Sequence, residues 1–278
     1  MEKNKLVGHG FVAPSEILPE EHIFGGQIET MPIMQDDGNW EDYLPEEEPQ
    51  ARLHFDTYGC TVYGTLNAIE ILEKRVLGED NDYAERYVYI GTGTRPPGNN
   101  PHVISEWIRK NGLINERMLP YTDLLQGLDD YTSPNPLTVQ YTEEGKRWLT
   151  KNSFNHEWTY NGGTIKEKHE RIKEALRRCP LNVSVCAWKE RDGIFYKDEG
   201  DIDNHWTTIF GYDNGYPLIF DTYKPYIKKL DKDYDFGFSK RYFLKRNPAI
   251  IPVKKSFFSF SFIQKWLPKP EPFVCPSA

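Results

Sequence analysis

One cysteine of the chain stands where nucleophilic chemistry could begin. Cys60 follows the turn residue Gly59, and the apolar residues after it recur at helical spacing up to about Val76. The unpaired N–H groups at the start of a helix favour the thiolate, which is the reactive form of cysteine. An isolated cysteine is more often a small buried apolar residue, so its partners must decide between the two interpretations.

A cysteine nucleophile needs a histidine base within reach and a polar group that orients the base. Of the seven histidines, His205 opens the best-defined strand pair, whose turn is Asp213-Asn214-Gly215 and whose second strand ends at Asp221. A three-residue turn places Asp221 diagonally beside His205 on one face, whereas a two-residue turn puts them on opposite faces. We therefore predict a bulged three-residue turn and a catalytic group of Cys60, His205 and Asp221.

The elements that must position these residues change in type along the chain. Apolar periodicity predicts helices after Cys60 and at about 83–90, 103–108 and 165–178. Alternation predicts strands at 139–142, 182–188, 226–230 and 241–244, besides the hairpin. Predicted helices thus prevail in the first half of the chain, and predicted strands in the second.

Composition excludes several classes of protein. The 278 residues carry a net charge of −8 and no basic patch, which argues against a nucleic-acid partner. No apolar run is long enough for a membrane span, and the N-terminus lacks the apolar region of a signal peptide. The four cysteines lack zinc-ligand spacing, so we predict no metal and no cofactor, and their small number suits a reducing compartment.

Three regions follow from composition. Residues 1–39 form a loose N-terminal arm rich in proline, glycine and acidic residues, and residues 40–247 form the folded domain. Residues 248–278 form an aromatic and proline-rich tail. This tail is interpreted either as a terminal strand on the body or as a docking segment for a protein partner.

The order of several landmarks resembles that of papain-like, C1-type cysteine peptidases. His205 lies about 145 residues after Cys60, within the roughly 130–150 of that family. The other landmarks, which cover about 40–245, are Trp40–Gln50, Trp107–Tyr121, Ile172–Val185 and Asn204–Tyr223. The resemblance implies an α+β fold with two lobes: a helical lobe at about 46–135 that carries the Cys60 helix, packed against an antiparallel sheet or barrel lobe at about 136–247.

The same resemblance implies roles for individual residues. It makes Cys60 the nucleophile, His205 the base, Asp221 its orienting group, Gln50 the oxyanion donor with His54 as the alternative, and Tyr223 an aromatic lid. The chain departs from the family at Thr61, where tryptophan is usual, and at Asp221, where asparagine is usual. The 39-residue arm is shorter than the family's helical inhibitory pro-domain.

The function implied is hydrolysis of a peptide or protein substrate in the cleft between the lobes. One alternative is a catalytically impaired scaffold with a structural or binding role, for instance in a virion. Another is transglutaminase-like acyl transfer to an amine, for which Asp221 is the support. The chain resembles phage and bacterial members more than lysosomal ones, which implies a cytoplasmic location, or the host cytoplasm or virion for a phage protein.

Overall fold

The structure, a computed structural model, describes residues 10–18, 21 and 31–248. Contacts divide the chain into two units, Met1–Asn247 and Pro248–Ala278. Apart from Pro248, the second unit lies outside the described residues. The prediction that the tail is a terminal strand or a docking segment concerns these residues and therefore also lies outside the described part. Among the helices of the described residues, none is long and apolar enough to cross a membrane.

Six α-helices and eight strands form in the described residues. The helices are α1 (Cys60–Leu77), α2 (Glu85–Gly91), α3 (Pro101–Asn111), α4 (Leu128–Tyr131), α5 (Val139–Lys151) and α6 (Ile165–Leu176). The strands are β1 (Asn152–Trp158), β2 (Leu181–Val185), β3 (Lys189–Arg191), β4 (Ile194–Tyr196), β5 (His205–Asp213), β6 (Tyr216–Phe220), β7 (Ile227–Leu230) and β8 (Ser239–Arg246). Two short 3-10 helices span Glu41–Tyr43 and Glu116–Met118.

One sheet contains all eight strands, in the order β1-β8-β2-β5-β6-β7-β4-β3. Its neighbours are antiparallel, apart from the parallel pair β4–β7. Helix α1 packs against β5 and β8 at the centre of the molecule. The predicted α+β class, with a helical lobe against a mainly antiparallel sheet, is confirmed.

Two predicted elements need correction. The segment 139–142, predicted as a strand, begins helix α5, which buries Gly145 and Trp148 on one face. Four residues were too few to separate strand alternation from a mainly polar helix. Strand β1 was missed because its buried positions include the polar residues Asn152 and His156, so that it lacks an apolar alternation.

The β5–β6 turn has two residues, so the predicted three-residue turn was wrong. Asn214 and Gly215 have φ values of 50° and 90°, as a tight hairpin turn requires. An irregularity around Phe210 then shifts the register, so that Thr208 pairs with Phe220. Because this shift lies within the strand, the register near the start of β5 is nevertheless the predicted one.

Helix α1 is fixed to the sheet through the backbone carbonyl of Gly64. Asn182 Nδ2 on β2 donates to Gly64 O at 2.8 Å, and Thr208 Oγ1 on β5 donates to it at 3.1 Å. A Cβ at Gly64 would lie 3.2 Å from the carbonyl oxygen of Trp206, so glycine permits the close approach of helix and strand. The start of α1, with Cys60, is thereby held against β5.

We expect Asn182→Ala to destabilise the fold by about 2–4 kcal/mol, because the side chain is fully buried and several buried groups lose their partner. Asn182 Oδ1 also accepts from Tyr242 Oη at 2.6 Å. Urea unfolding measures the change. Asn155→Ala, which removes an exposed asparagine of β1, is the matched control and should change stability by less than about 0.5 kcal/mol. Equal losses in the two variants would contradict this account of how α1 is anchored.

Candidate active site

The turn before α1 places Cys60 at the first position of the helix. Asp56 Oδ1 accepts the backbone N–H of Tyr58 at 2.8 Å, and Thr57 Oγ1 accepts that of Gly59 at 3.1 Å. Tyr58 has a positive φ of 56°, which reverses the chain immediately before the helix. Short polar side chains therefore shape the turn and direct the Cys60 side chain towards the sheet lobe.

His205 and Asp221 form a hydrogen-bonded pair beneath the surface. Their side chains are completely buried, and His205 Nε2 lies 2.6 Å from Asp221 Oδ1. A carboxylate at this distance favours the tautomer with the proton on Nε2 and leaves a lone pair on Nδ1. Among the described residues, His205 Nδ1 has no hydrogen-bond partner. The backbone N–H of the next residue, Trp206, lies near the Cys60 thiol and acts to lower its pKa.

Sequence reasoning missed a second partner of Asp221. Lys228 Nζ, on β7, lies 2.5 Å from Asp221 Oδ2, and both side chains are fully buried. Burial raises the pKa of Asp221, but the charges and hydrogen bonds of His205 and Lys228 outweigh it and bring the pKa to about 2. Burial also lowers the pKa of Lys228. The sequence held one indication of this contact. Lys228 stands midway between Tyr226 and Leu230, at an inward position of a predicted strand.

The two candidate oxyanion donors have different surroundings. Gln50 is buried, and its Nε2 donates to Asp56 Oδ1 at 3.0 Å and to Tyr223 Oη at 2.7 Å. Its Oε1 accepts from Thr222 Oγ1 at 2.8 Å. His54 is exposed and lies against Gln126, with 3.4 Å between their Nε2 atoms. The structure therefore brings Gln50, and not His54, to the segment that follows Asp221.

Two aromatic rings cover the imidazole. The Tyr223 ring centroid lies 5.3 Å from that of His205, and the Trp188 ring lies 5.7 Å from it on a nearly perpendicular plane. Tyr223 Oη donates to Asp56 Oδ2, which fixes the ring over the site. Trp188 was not a predicted site residue. Together the rings keep water from the hydrogen bond between His205 and Asp221.

Part of the N-terminal arm crosses the cleft between the two lobes. On the helical side, Val12 N donates to Asn99 O at 3.0 Å and Asn99 N donates to Gly10 O at 3.1 Å. On the sheet side, Gly10 N donates to Asn204 O at 3.3 Å. The Phe11 ring stacks on Trp206, with 5.5 Å between centroids. Residues 10–12, called the strap below, therefore bridge both lobes.

The strap seals Cys60 from solvent. A Cβ at Gly10 would lie 2.7 Å from Cys60 Sγ and 2.7 Å from Tyr58 O, so no larger residue fits without movement. Cys60 is 0% exposed, and burial raises its pKa well above the ordinary value. The Trp206 N–H opposes this shift, whereas the negative charges of Asp56 and Asp221 add to it. In this covered form the neutral thiol is favoured, contrary to the expectation from the helix start alone.

No protein-family model and no curated protein sequence matches the chain. Solved structures of cysteine proteases do match it. Xylellain from Xylella fastidiosa matches with a TM-score of 0.58 and 12% identity over 89% of this chain and 98% of that one. Procathepsin L 3 of the Tenebrio molitor larval midgut matches with a TM-score of 0.53 and 14% identity, over 76% of this chain and 74% of that one. The Carica candamarcensis cysteine protease CMS1MS2 matches with a TM-score of 0.52 and 14% identity, over 76% of this chain and 98% of that one. The chain therefore has the papain-like fold, as the resemblance implied.

We expect Lys228→Met to cost about 3–5 kcal/mol at neutral pH, because it leaves the Asp221 carboxylate buried without this cation. Since the pKa of Asp221 is about 2, below its ordinary 3.8, the contribution of the pair is present above pH 3.8 and is lost as the pH falls towards 2. Urea unfolding measures the cost.

Two further variants test the cause of this loss. Lys228→Met/Asp221→Asn should recover at least about 2 kcal/mol of it, because both charges are then removed. Lys229→Met breaks the neighbouring half-exposed pair with Asp213 and should cost less than about 1 kcal/mol. A double variant no more stable than Lys228→Met would show that the loss has another cause than the unpaired carboxylate.

Proposed function

We propose that the chain is a cysteine peptidase that hydrolyses peptide bonds of a peptide or protein substrate through Cys60, His205 and Asp221. One observation carries the proposal: the buried bond from His205 to Asp221 leaves Nδ1 available, and the backbone of the next residue, Trp206, lies near the Cys60 thiol. The papain-like fold supports it, because the compared structures are cysteine proteases.

In the proposed reaction His205 Nδ1 takes the proton of Cys60, and the thiolate attacks the carbonyl carbon of the substrate. The backbone N–H of Cys60 stabilises the oxyanion together with the amide of Gln50, which first releases its bond to Asp56 or to Tyr223. The imidazolium then protonates the leaving amine. Water hydrolyses the thioester with His205 as the base, which restores the thiol. Asp221 stabilises the imidazolium at each step.

The covered form is proposed to be latent. The strap occupies the cleft above Cys60, and the carbonyl of Gly10 accepts from Asn99 N rather than from the proposed oxyanion donors. Its peptide bond is therefore not presented for cleavage. A segment much shorter than a helical pro-domain would thus be sufficient to block Cys60. The length of the arm alone did not indicate this.

To test latency, Gly10→Val can be introduced into the full chain. The added side chain overlaps Cys60 Sγ and Tyr58 O, and overpacking of this kind costs about 1–3 kcal/mol. Alkylation of Cys60 by iodoacetamide, followed by mass spectrometry of the peptides, should be roughly tenfold or more faster than in the unaltered chain. Val12→Ala, which keeps the backbone bond to Asn99, is the control and should leave the rate unchanged. Equal rates for Gly10→Val and the unaltered chain would show that the strap does not limit access to the thiol.

Catalysis is tested in the Gly10→Val chain with a library of fluorogenic peptides. Adding Cys60→Ala should lower cleavage by about a thousandfold or more, because the nucleophile is lost. Cys186→Ala, at another buried cysteine, should leave cleavage nearly unchanged. Cleavage that survives Cys60→Ala contradicts the proposal. Transfer of the acyl group to an added amine in preference to water would favour the transglutaminase-like alternative, and no cleavage with an accessible Cys60 would favour the binding scaffold.

A further inference from the structure

Five carboxyl groups that the proposed reaction does not use lie close together in the helical lobe. They come from separate segments: Glu48 before the Cys60 turn, Glu70 on α1, Asp82 before α2, Glu85 at the first position of α2, and Glu116 on a 3-10 helix. Four of them, all except Glu85, line a cavity of about 540 Å³. Acidic residues so far apart in sequence meet only because the fold assembles them.

Three of these groups lie at distances that suit one cation. Oxygen atoms of Glu48, Glu70 and Asp82 all lie within 4.8 Å of one another. Calcium binds oxygen at about 2.3–2.6 Å, so ligands on opposite sides of the ion are about 4.6–5.2 Å apart. A single ion between the three can therefore reach each of them. The backbone N–H of Tyr83 donates to Glu70 Oε1 at 2.9 Å and fixes that carboxylate in place.

The side chain of Glu85 points to a ligand independently of these distances. Glu85 is only 2% exposed, and among the described residues its Oε1 has no hydrogen-bond partner. Its carboxyl group contacts that of Glu48, one of the three groups above, and so belongs to the same cluster. A buried carboxylate oxygen without a donor is a costly arrangement that a cation relieves.

The basic residues at the cavity do not balance the acids. The positive charge of Arg52 interacts with the carboxyl groups of Glu48 and Glu116, and that of Arg117 interacts with the carboxyl group of Asp82. Two guanidinium groups face five carboxyl groups, so the site keeps a net negative charge when the acids are ionised. The donors are oxygen atoms, without a histidine or cysteine, and such a set suits a hard cation rather than zinc or copper.

We propose that Glu48, Glu70 and Asp82, supported by the buried carboxylate of Glu85, bind a divalent cation of the calcium type. Calcium fits better than magnesium, because carboxylates from separate segments give an irregular ligand arrangement, whereas magnesium demands a near-ideal octahedron. Glu48 stands two residues before Gln50. The bound ion therefore joins the segment that carries Gln50 to helix α1 and stabilises the turn before Cys60.

The test is thermal unfolding of the full chain at pH 7.5, in EDTA and in 2 mM CaCl₂ at matched ionic strength. Calcium should raise the Tm by about 4 °C or more, because it binds the folded chain and not the unfolded one. Glu48→Gln and Asp82→Asn should each abolish most of this rise. Glu143→Gln, at an exposed acid of α5, is the control and should keep it. Isothermal titration with CaCl₂ should give one site in the unaltered chain.

Three results would overturn the proposal. The first is a Tm that calcium leaves unchanged but that rises as the pH falls from 7.5 to 5.5, since the carboxyl groups would then share protons instead of an ion. The second is a calcium response that survives Glu48→Gln and Asp82→Asn, since the ion would then bind elsewhere. The third is a larger rise with MgCl₂ than with CaCl₂, which would contradict the choice of cation.

Discussion

The buried charge of Asp221 is the constraint on which the candidate catalytic group depends. A carboxylate removed from water needs compensation on both oxygens, and here His205 binds one and Lys228 the other. The first contact also orients the imidazole, and the two contacts, with His205 having the larger effect, keep the pKa of the carboxyl low enough for it to stay ionised. The departure from the usual asparagine and the presence of an inward-facing lysine thus have one explanation.

A second constraint is the access of solvent to Cys60. The helix start and the N–H of Trp206 favour the thiolate, yet burial under the strap has the larger effect on the pKa. The same contacts that close the cleft therefore also favour the protonated form of Cys60, the proposed nucleophile. Release of the strap would both open the site and remove the desolvation that suppresses the thiolate. Latency and reactivity are in this account two consequences of one contact, that of Gly10 with Cys60.

Local patterns predicted well the elements that carry the candidate catalytic residues. The apolar repeat after Cys60 indicated α1, and alternation around the Asn214 turn indicated the hairpin that holds His205 and Asp221. The exact turn was not predictable, because the irregularity that sets the register lies around Phe210, whose carbonyl accepts from the backbone N–H of the distant residue Trp40. Spacing alone could not separate Gln50 from His54 as the candidate oxyanion donor, and the structure adds that Gln50 is buried and His54 exposed. Lys228, the strap over Cys60 and the cluster of acids depend on contacts between distant segments, which periodicity does not record.

The central claim is that His205 activates Cys60, and the pH dependence of Cys60 alkylation tests it most directly. The rate is measured from pH 4 to 10 in Gly10→Val and in Gly10→Val/His205→Ala, with iodoacetamide as the probe. A thiolate–imidazolium pair predicts an inflection well below the ordinary thiol pKa of about 8.5 in the first chain. In the second chain the inflection should move to about 8.5 or higher. An identical pH dependence in the two chains would contradict the account.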